Sequence, residues 1–151
     1  MSKILYKNVI LFTVGFCLYI TIEVLFRGYS FPIMGVCAGL CMVIIDKIND
    51  YISWDVDILI QSSIGAILVT FMELIIGLVF KYTTLLPIMW DYSNIPFNYL
   101  GIICLPFSLI WVLLSFVGIL VADSINYHVF NEKPVPYYKL FGKTIIKFKD
   151  K

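Results

Sequence analysis

Residues 57–80 read Asp57-Ile-Leu-Ile-Gln61-Ser-Ser-Ile-Gly65-Ala-Ile-Leu-Val-Thr-Phe-Met-Glu73-Leu-Ile-Ile-Gly77-Leu-Val-Phe80. The stretch exceeds the ~20 apolar residues a helix needs to cross a bilayer, and its interior holds a single ionisable side chain, Glu73. Three more apolar blocks lie on either side of it, about 8–26, 31–45 and 99–122. The shortest, 31–45, is either a short span or a re-entrant segment; a span is favoured because Tyr29, Ser30 and the turn at Ile48 can extend its ends. Apolar residues make up 61% of the chain, against roughly 45–50% in soluble domains, and charged residues 14% against roughly 25%. A soluble core would not need that excess gathered into blocks. The expected fold is therefore all-α: a polytopic integral membrane protein, a four-helix bundle over residues 1–130 followed by a basic amphipathic tail over 131–151.

Lysines precede the first block as they would in a signal peptide. The block is too long for an h-region and Glu23-Val-Leu-Phe-Arg27 is not a small-residue cleavage site, so it is read as retained. With four spans, both termini share one side with the 46–57 loop. That side holds Lys3, Lys7, Lys47, Lys133, Lys139, Lys143, Lys147, Lys149 and Lys151, whereas the other holds Arg27 and Lys81. The positive-inside rule then predicts a multi-pass protein of the cell membrane with cytoplasmic N- and C-termini. The tail interleaves Leu140, Phe141, Ile145, Ile146 and Phe148 with lysines, a composition suited to an anionic lipid surface and not to nucleic acid.

The two halves read as variants of one helical hairpin. Gly15 and Gly65 each precede a glutamate, Glu23 or Glu73, by the same spacing. Each glutamate is followed by an aromatic, proline-bearing loop (Arg27-Gly-Tyr-Ser-Phe-Pro32; Trp90-Asp-Tyr-Ser-Asn-Ile-Pro96), then a glycine, Gly35 or Gly101. The halves close with Asp46-Lys-Ile-Asn49 and Asp123-Ser-Ile-Asn126. Chance similarity and duplication both account for such short elements. Gly15, Tyr19, Glu23 and Arg27 share one helix face; Gln61, Gly65, Val69, Glu73 and Gly77 share another.

An ionisable group in hydrocarbon costs roughly 2.5–3.5 kcal/mol on insertion scales, so it tends to face the bundle interior and mark a site. Glu23 and Arg27 are spaced for an i,i+4 ion pair. Glu73 has no such local cation, and the two glutamates are expected to face each other across the first and third helices with Arg27 shared or nearby. Glu23, Arg27, Glu73, Trp90, Asp91, Tyr92 and Asn98 are the candidate ligand-binding residues, converging on one outer vestibule. Trp90 and Tyr92 also fit an interfacial aromatic belt, and Asp91 with Asn98 a loop-capping pair. Cys17, Cys37, Cys41 and Cys104 all fall in apolar blocks and read as packing groups. Cys37 and Cys41 share a face, but the sole histidine, His128, lies beyond the fourth block, so neither metal nor cofactor is expected.

The stretch Trp90-Asp-Tyr-Ser-Asn-Ile-Pro-Phe-Asn98-Tyr-Leu-Gly101-Ile-Ile-Cys104-Leu-Pro-Phe-Ser108-Leu-Ile-Trp111, with Glu23, Arg27-Gly28 and Glu73 upstream, resembles the bacterial family labelled putative ABC-transporter type IV, or CmpB-like. The resemblance runs from about Gly15 to Asn126 and implies a small polytopic membrane protein. It departs from the family at Ile102, where a polar residue, often arginine, is usual, and in a shorter, more apolar segment between Arg27-Gly28 and Gly35. The resemblance implies a permease-like component, and the paired carboxylates with an arginine permit it to bind or conduct a polar or cationic solute. No Walker A loop is present, so an ATP-driven role requires a separate ATPase or other membrane subunits. Homo-oligomers are open to it as well. The alternatives are a structural or regulatory subunit of a larger complex, and an intramembrane enzyme pairing Glu23 and Glu73 as acid and base on a lipid-linked substrate. The enzyme is disfavoured: no span carries a histidine, and there is neither a Gly-x-Ser-x-Gly nor a metal-ligand cluster. No catalytic residue is assigned.

Overall fold

A computed structural model describes residues 2–84, 89–132 and 134–150. Lys133 and Lys151, counted among the basic residues of the terminal side, lie outside the described residues. The chain runs α1 (Lys3–Arg27), α2 (Pro32–Asp46), the short α3 (Ile48–Tyr51), α4 (Ile58–Tyr82), β1 (Asn98–Tyr99), β2 (Ile103–Cys104), α5 (Leu105–His128), β3 (Tyr137–Leu140) and β4 (Lys143–Lys147). Among the described residues, four helical stretches are long and apolar enough to cross a bilayer, α2 reaching that length with α3. Their outward faces stay apolar, with Leu25, Phe26, Ile67 and Leu113 all well exposed. This is a multi-pass, all-α membrane bundle.

Local chemistry sets the helix ends. Ser2 Oγ accepts from Leu5 N at the start of α1, and Asp57 Oδ1 accepts from Leu59 N at the start of α4, each meeting an otherwise unpaired N-terminal donor. Pro32 begins α2, where its missing N–H costs nothing. Gly28 closes α1 in the left-handed region (φ 84°), its N–H returning to Val24 O.

The second and third apolar blocks match α2 and α4 closely, and the first, 8–26, lies within α1, which begins five residues earlier at Lys3. The fourth is displaced: 99–122 was expected and Leu105–His128 is observed. Pro106 explains the shift. Inside a helix it would clash with the carbonyl four residues back, whereas in the first turn of α5 it is tolerated. Residues 98–104 instead form a tight β1–β2 hairpin, with Asn98 opposite Cys104 and Leu100 and Gly101 at positive φ.

The two helical hairpins are arranged alike. α1 packs along α2 and touches α5; α4 packs along α5 and touches α2; α2 and α5 face each other at the centre. Gly15 permits the first close approach, since a Cβ there would sit 2.5 Å from Met42 Cβ. Gly65 permits the second, its Cβ falling 2.8 Å from Ser115 Cβ. At the end bearing the termini, the repeated Asp-x-Ile-Asn elements exchange partners. Asn126 Nδ2 donates to Asp46 Oδ1 (2.6 Å) and Asn49 Nδ2 donates to Asp123 Oδ2 (3.2 Å). Lys7 and Lys47 pair with Asp46 Oδ2 at 3.4 and 2.9 Å.

The tail, expected to lie on the lipid surface, is over 137–147 an antiparallel β3–β4 hairpin packed against the bundle end. Its turn residues, Phe141 and Gly142, both have positive φ, the geometry of a tight hairpin turn. Tyr138 is fully buried among Ile45, Ile48, Ile58 and Ile119, and its hydroxyl donates to Asp123 Oδ2 (2.7 Å). Lys139 pairs with Asp55, and Phe141 N donates to Asp57 Oδ2. Lys3 Nζ donates to Phe130 O and Lys7 pairs with Glu132, so the two ends of the chain meet at one end of the bundle.

Candidate functional site

α2 and α5 are held together at the terminal end by the Asp/Asn exchange, and Leu11, Met42 and Ala122 pack just above it. Towards the opposite end they leave a cavity of about 150 Å³ between the hairpins. All four long helices line it: Leu18, Tyr19 and Ile22 from α1; Met34, Cys37 and Cys41 from α2; Val69, Met72, Glu73 and Ile76 from α4; Trp111, Leu114 and Val117 from α5. Trp90 closes it from the loop end. The walls are almost wholly apolar and aromatic, with Glu73 the only carboxylate among the lining residues.

Glu73 is held by two neutral donors. Trp111 Nε1 donates to Oε2 (3.1 Å) and Tyr92 OH donates to Oε1 (3.0 Å). Among the described residues no cation pairs with it. A carboxylate has about four lone-pair sites, so two remain for a ligand. The Tyr92 ring stacks on Phe107 at 4.7 Å, which fixes its hydroxyl. Burial and the neighbouring Glu73 carboxylate push the Tyr92 phenol up from its ordinary pKa, so it stays a proton donor.

Glu23 is differently placed. It accepts from Tyr19 OH (3.0 Å), from Ser30 Oγ and from Arg27 Nη2 (2.8 Å), the i,i+4 pair expected from the sequence. Arg27 donates further to Tyr29 O and Met89 O, and stacks over the Tyr29 ring at 4.6 Å. Arg27, expected to be shared by the glutamates or close by, has its ion pair with Glu23. Arg27 serves Glu23 and ties the loop end of α1 to residue 89, while α1 and α4 occupy outer corners of the bundle.

The 89–104 loop roofs the cavity. Trp90 Nε1 donates to Ile102 O (2.9 Å), and its ring meets Phe80 edge-on at 5.6 Å. Ile102 is fully buried against α4, where a Cβ on Gly77 would lie 2.1 Å from Ile102 Cγ2. That packing explains why an apolar residue stands where the resemblance implies a polar one. Asp91 Oδ1 accepts from Ser93 N and Oγ, which hold its carboxyl below the usual range. Asn98 donates to Ser93 O and Ile95 O and accepts from Gly101 N. Asp91 and Asn98 thus order the loop on its exposed side and do not line the cavity. Of the sequence-derived set, Glu73, Trp90 and Tyr92 come together, and Glu23 with Arg27 forms a neighbouring cluster.

Trp111 was not among the expected site residues. Its signal was an indole in the middle of an apolar span, where the N–H needs a partner. Tyr19 lines the cavity too, from the face it shares with Glu23.

Residues 8–147 match the family model described as putative ABC-transporter type IV. The chain belongs to this family. No curated protein and no solved structure matches it. The family's description suggests a transporter-type membrane protein.

Proposed function

We propose that the protein is a permease-type membrane component that binds a cationic solute at Glu73 and lacks an ATPase of its own. The observation that carries this reading is the carboxylate of Glu73 in the cavity wall, oriented by Trp111 and Tyr92 and unmatched by a cation among the described residues. The indole rings of Trp90 and Trp111 add to it, because an ammonium is drawn to an aromatic face as well as to a carboxylate. Glu23 serves in support: its oxygens are engaged by Tyr19, Ser30 and Arg27, and it holds the loop end of α1 beside the site. The basic residues at the terminal end favour the cell membrane with that end cytoplasmic, so the roof faces outward. Partner subunits, including a separate ATPase, would then meet the cytoplasmic end.

The test is purification with native lipids from cells expressing the wild type or Glu73→Gln, followed by mass spectrometry of bound small molecules and subunits. An amine-bearing compound enriched with the wild type and lost from the variant is expected. A stable protein complex with no bound cation in either sample would replace this reading with a scaffold subunit.

A further inference from the structure

The cavity has a floor, a roof and an open side. Its floor is made where Leu11, Met42 and Ala122 pack above the Asp/Asn exchange. Its roof is Trp90 with the loop fixed by Ile102 and by Arg27 on Met89 O. Leu18 and Ile22 of α1 and Val117 of α5 line the cavity yet are 42%, 45% and 43% exposed. These residues frame an opening between α1 and α5, at a height where both helices face hydrocarbon.

We propose that the ligand is a single-chain amphiphile with an ammonium head, which enters sideways from the bilayer between α1 and α5. This rests on the reading of Glu73 as the cation site and adds the nature of the rest of the molecule. An apolar wall stabilises hydrocarbon, and a small polar solute would lose its hydration there with little besides Glu73 and the Tyr19 and Ser115 hydroxyls to replace it. The cavity is about 150 Å³, on the order of a space that holds one benzene-sized group. It accommodates part of one chain and not the paired chains of a phospholipid, the remainder extending through the portal into lipid. Glu73 lies nine residues before the end of α4, roughly 13 Å in at 1.5 Å per residue. The ammonium is thus drawn below the roof, against the Glu73 carboxylate and the faces of Trp90 and Trp111.

The two cavity tryptophans supply the measurement. The chain contains three tryptophans, and Trp54 lies elsewhere, in the cluster around Tyr138. In a Trp54→Phe background, held in nanodiscs of zwitterionic phospholipid, a dodecylammonium brominated on its chain should quench Trp90 and Trp111 saturably above the lipid-partitioning baseline. Unbrominated dodecylammonium should compete, and ethylammonium should not at a hundredfold higher concentration. Glu73→Gln should weaken binding at least about tenfold, and Val117→Phe, narrowing the portal, should slow the onset of quenching with less effect on its extent. Ethylammonium competing as well as the long chain would leave Glu73 as the cation site and overturn the amphiphile. Neutral dodecanol competing equally, with Glu73→Gln unaffected, would overturn both. Absence of saturable quenching would overturn the amphiphile, the cation reading then resting on the co-purification experiment.

Discussion

At the scale of single residues, the chemistry turns on two donors facing one carboxylate. Trp111 N–H can only donate, whereas Tyr92 O–H can turn and accept. A glutamine at position 73 can therefore keep both contacts, its oxygen accepting from Trp111 and its amide donating to Tyr92. Glu73→Gln should consequently fold within about 1 kcal/mol of the wild type while losing cation binding. Trp111→Phe removes the irreversible donor and should cost about 1–3 kcal/mol. Thermal unfolding of the detergent-purified variants checks the order; Trp111→Phe as stable as Glu73→Gln would show that the indole does not support the site. Glu73 itself was legible in the sequence, because an acid inside an apolar stretch is costly and so conspicuous. Its partners were not. Trp111 comes from 38 residues further along, and nothing local to either residue reveals the pairing.

At the scale of elements, the apolar blocks gave three helices because block length alone decides them. The fourth went astray because Pro106 and the positive-φ pair Leu100–Gly101 carry boundary information that mean hydropathy ignores. Contact distances separate the helix glycines. Gly15→Ala should gain up to about 1 kcal/mol in helix propensity but lose about 1–3 kcal/mol against Met42 and the Ala38 carbonyl, a net destabilisation. Gly118, with nothing nearer than 3.5 Å to a new Cβ, should accept alanine without loss. Equal melting temperatures for the two variants would contradict the close α1–α2 approach. The tail hides its hairpin because its lysines and aromatics satisfy an interfacial pattern equally well. Its docking should depend on pH through Asp55 and Lys139. Hydrogen bonds from Lys139 and Tyr137 hold the Asp55 carboxyl low, so its contribution is present above its unfolded pKa of about 3.9 and lost as pH falls through the lower folded value. The hydrogen bond to Asp55 holds Lys139 high, so its contribution is full below about 10.4 and lost as pH rises through the higher folded value. Hydrogen exchange over 137–147, corrected for its intrinsic pH dependence, should show steady protection between these limits and loss of it at both extremes.

At the scale of the whole molecule, two hairpins make one bundle, and their orientation and their joining are separately testable. Cysteines introduced at Asn94 and Ile145, both exposed, should react with an impermeant maleimide from opposite sides, position 94 from outside and 145 from the cytoplasm. The reverse pattern would invert the topology. The joining depends on the Asp/Asn exchange, where each hairpin supplies one acid and one amide. The sequence showed the two Asp-x-Ile-Asn elements as similar endings; their reciprocity needs both hairpins placed together. Asp46→Asn removes the buried carboxylate that pairs with Lys7 and Lys47 but leaves Lys7 its closer ion pair with Glu132 (3.2 Å), so it should cost about 1–3 kcal/mol. Asn126→Asp sets a second carboxylate against Asp46 and should also destabilise. Combining the two restores an acid facing an amide, so the double variant should be more stable than the sum of the singles by about 0.5–3 kcal/mol. Asn49→Asp combined with Asn126→Asp restores no such contact and should show no recovery. Additive losses in both combinations, measured by unfolding in mixed detergent, would mean that the hairpins are held by apolar packing alone and that the repeated polar endings do not join them.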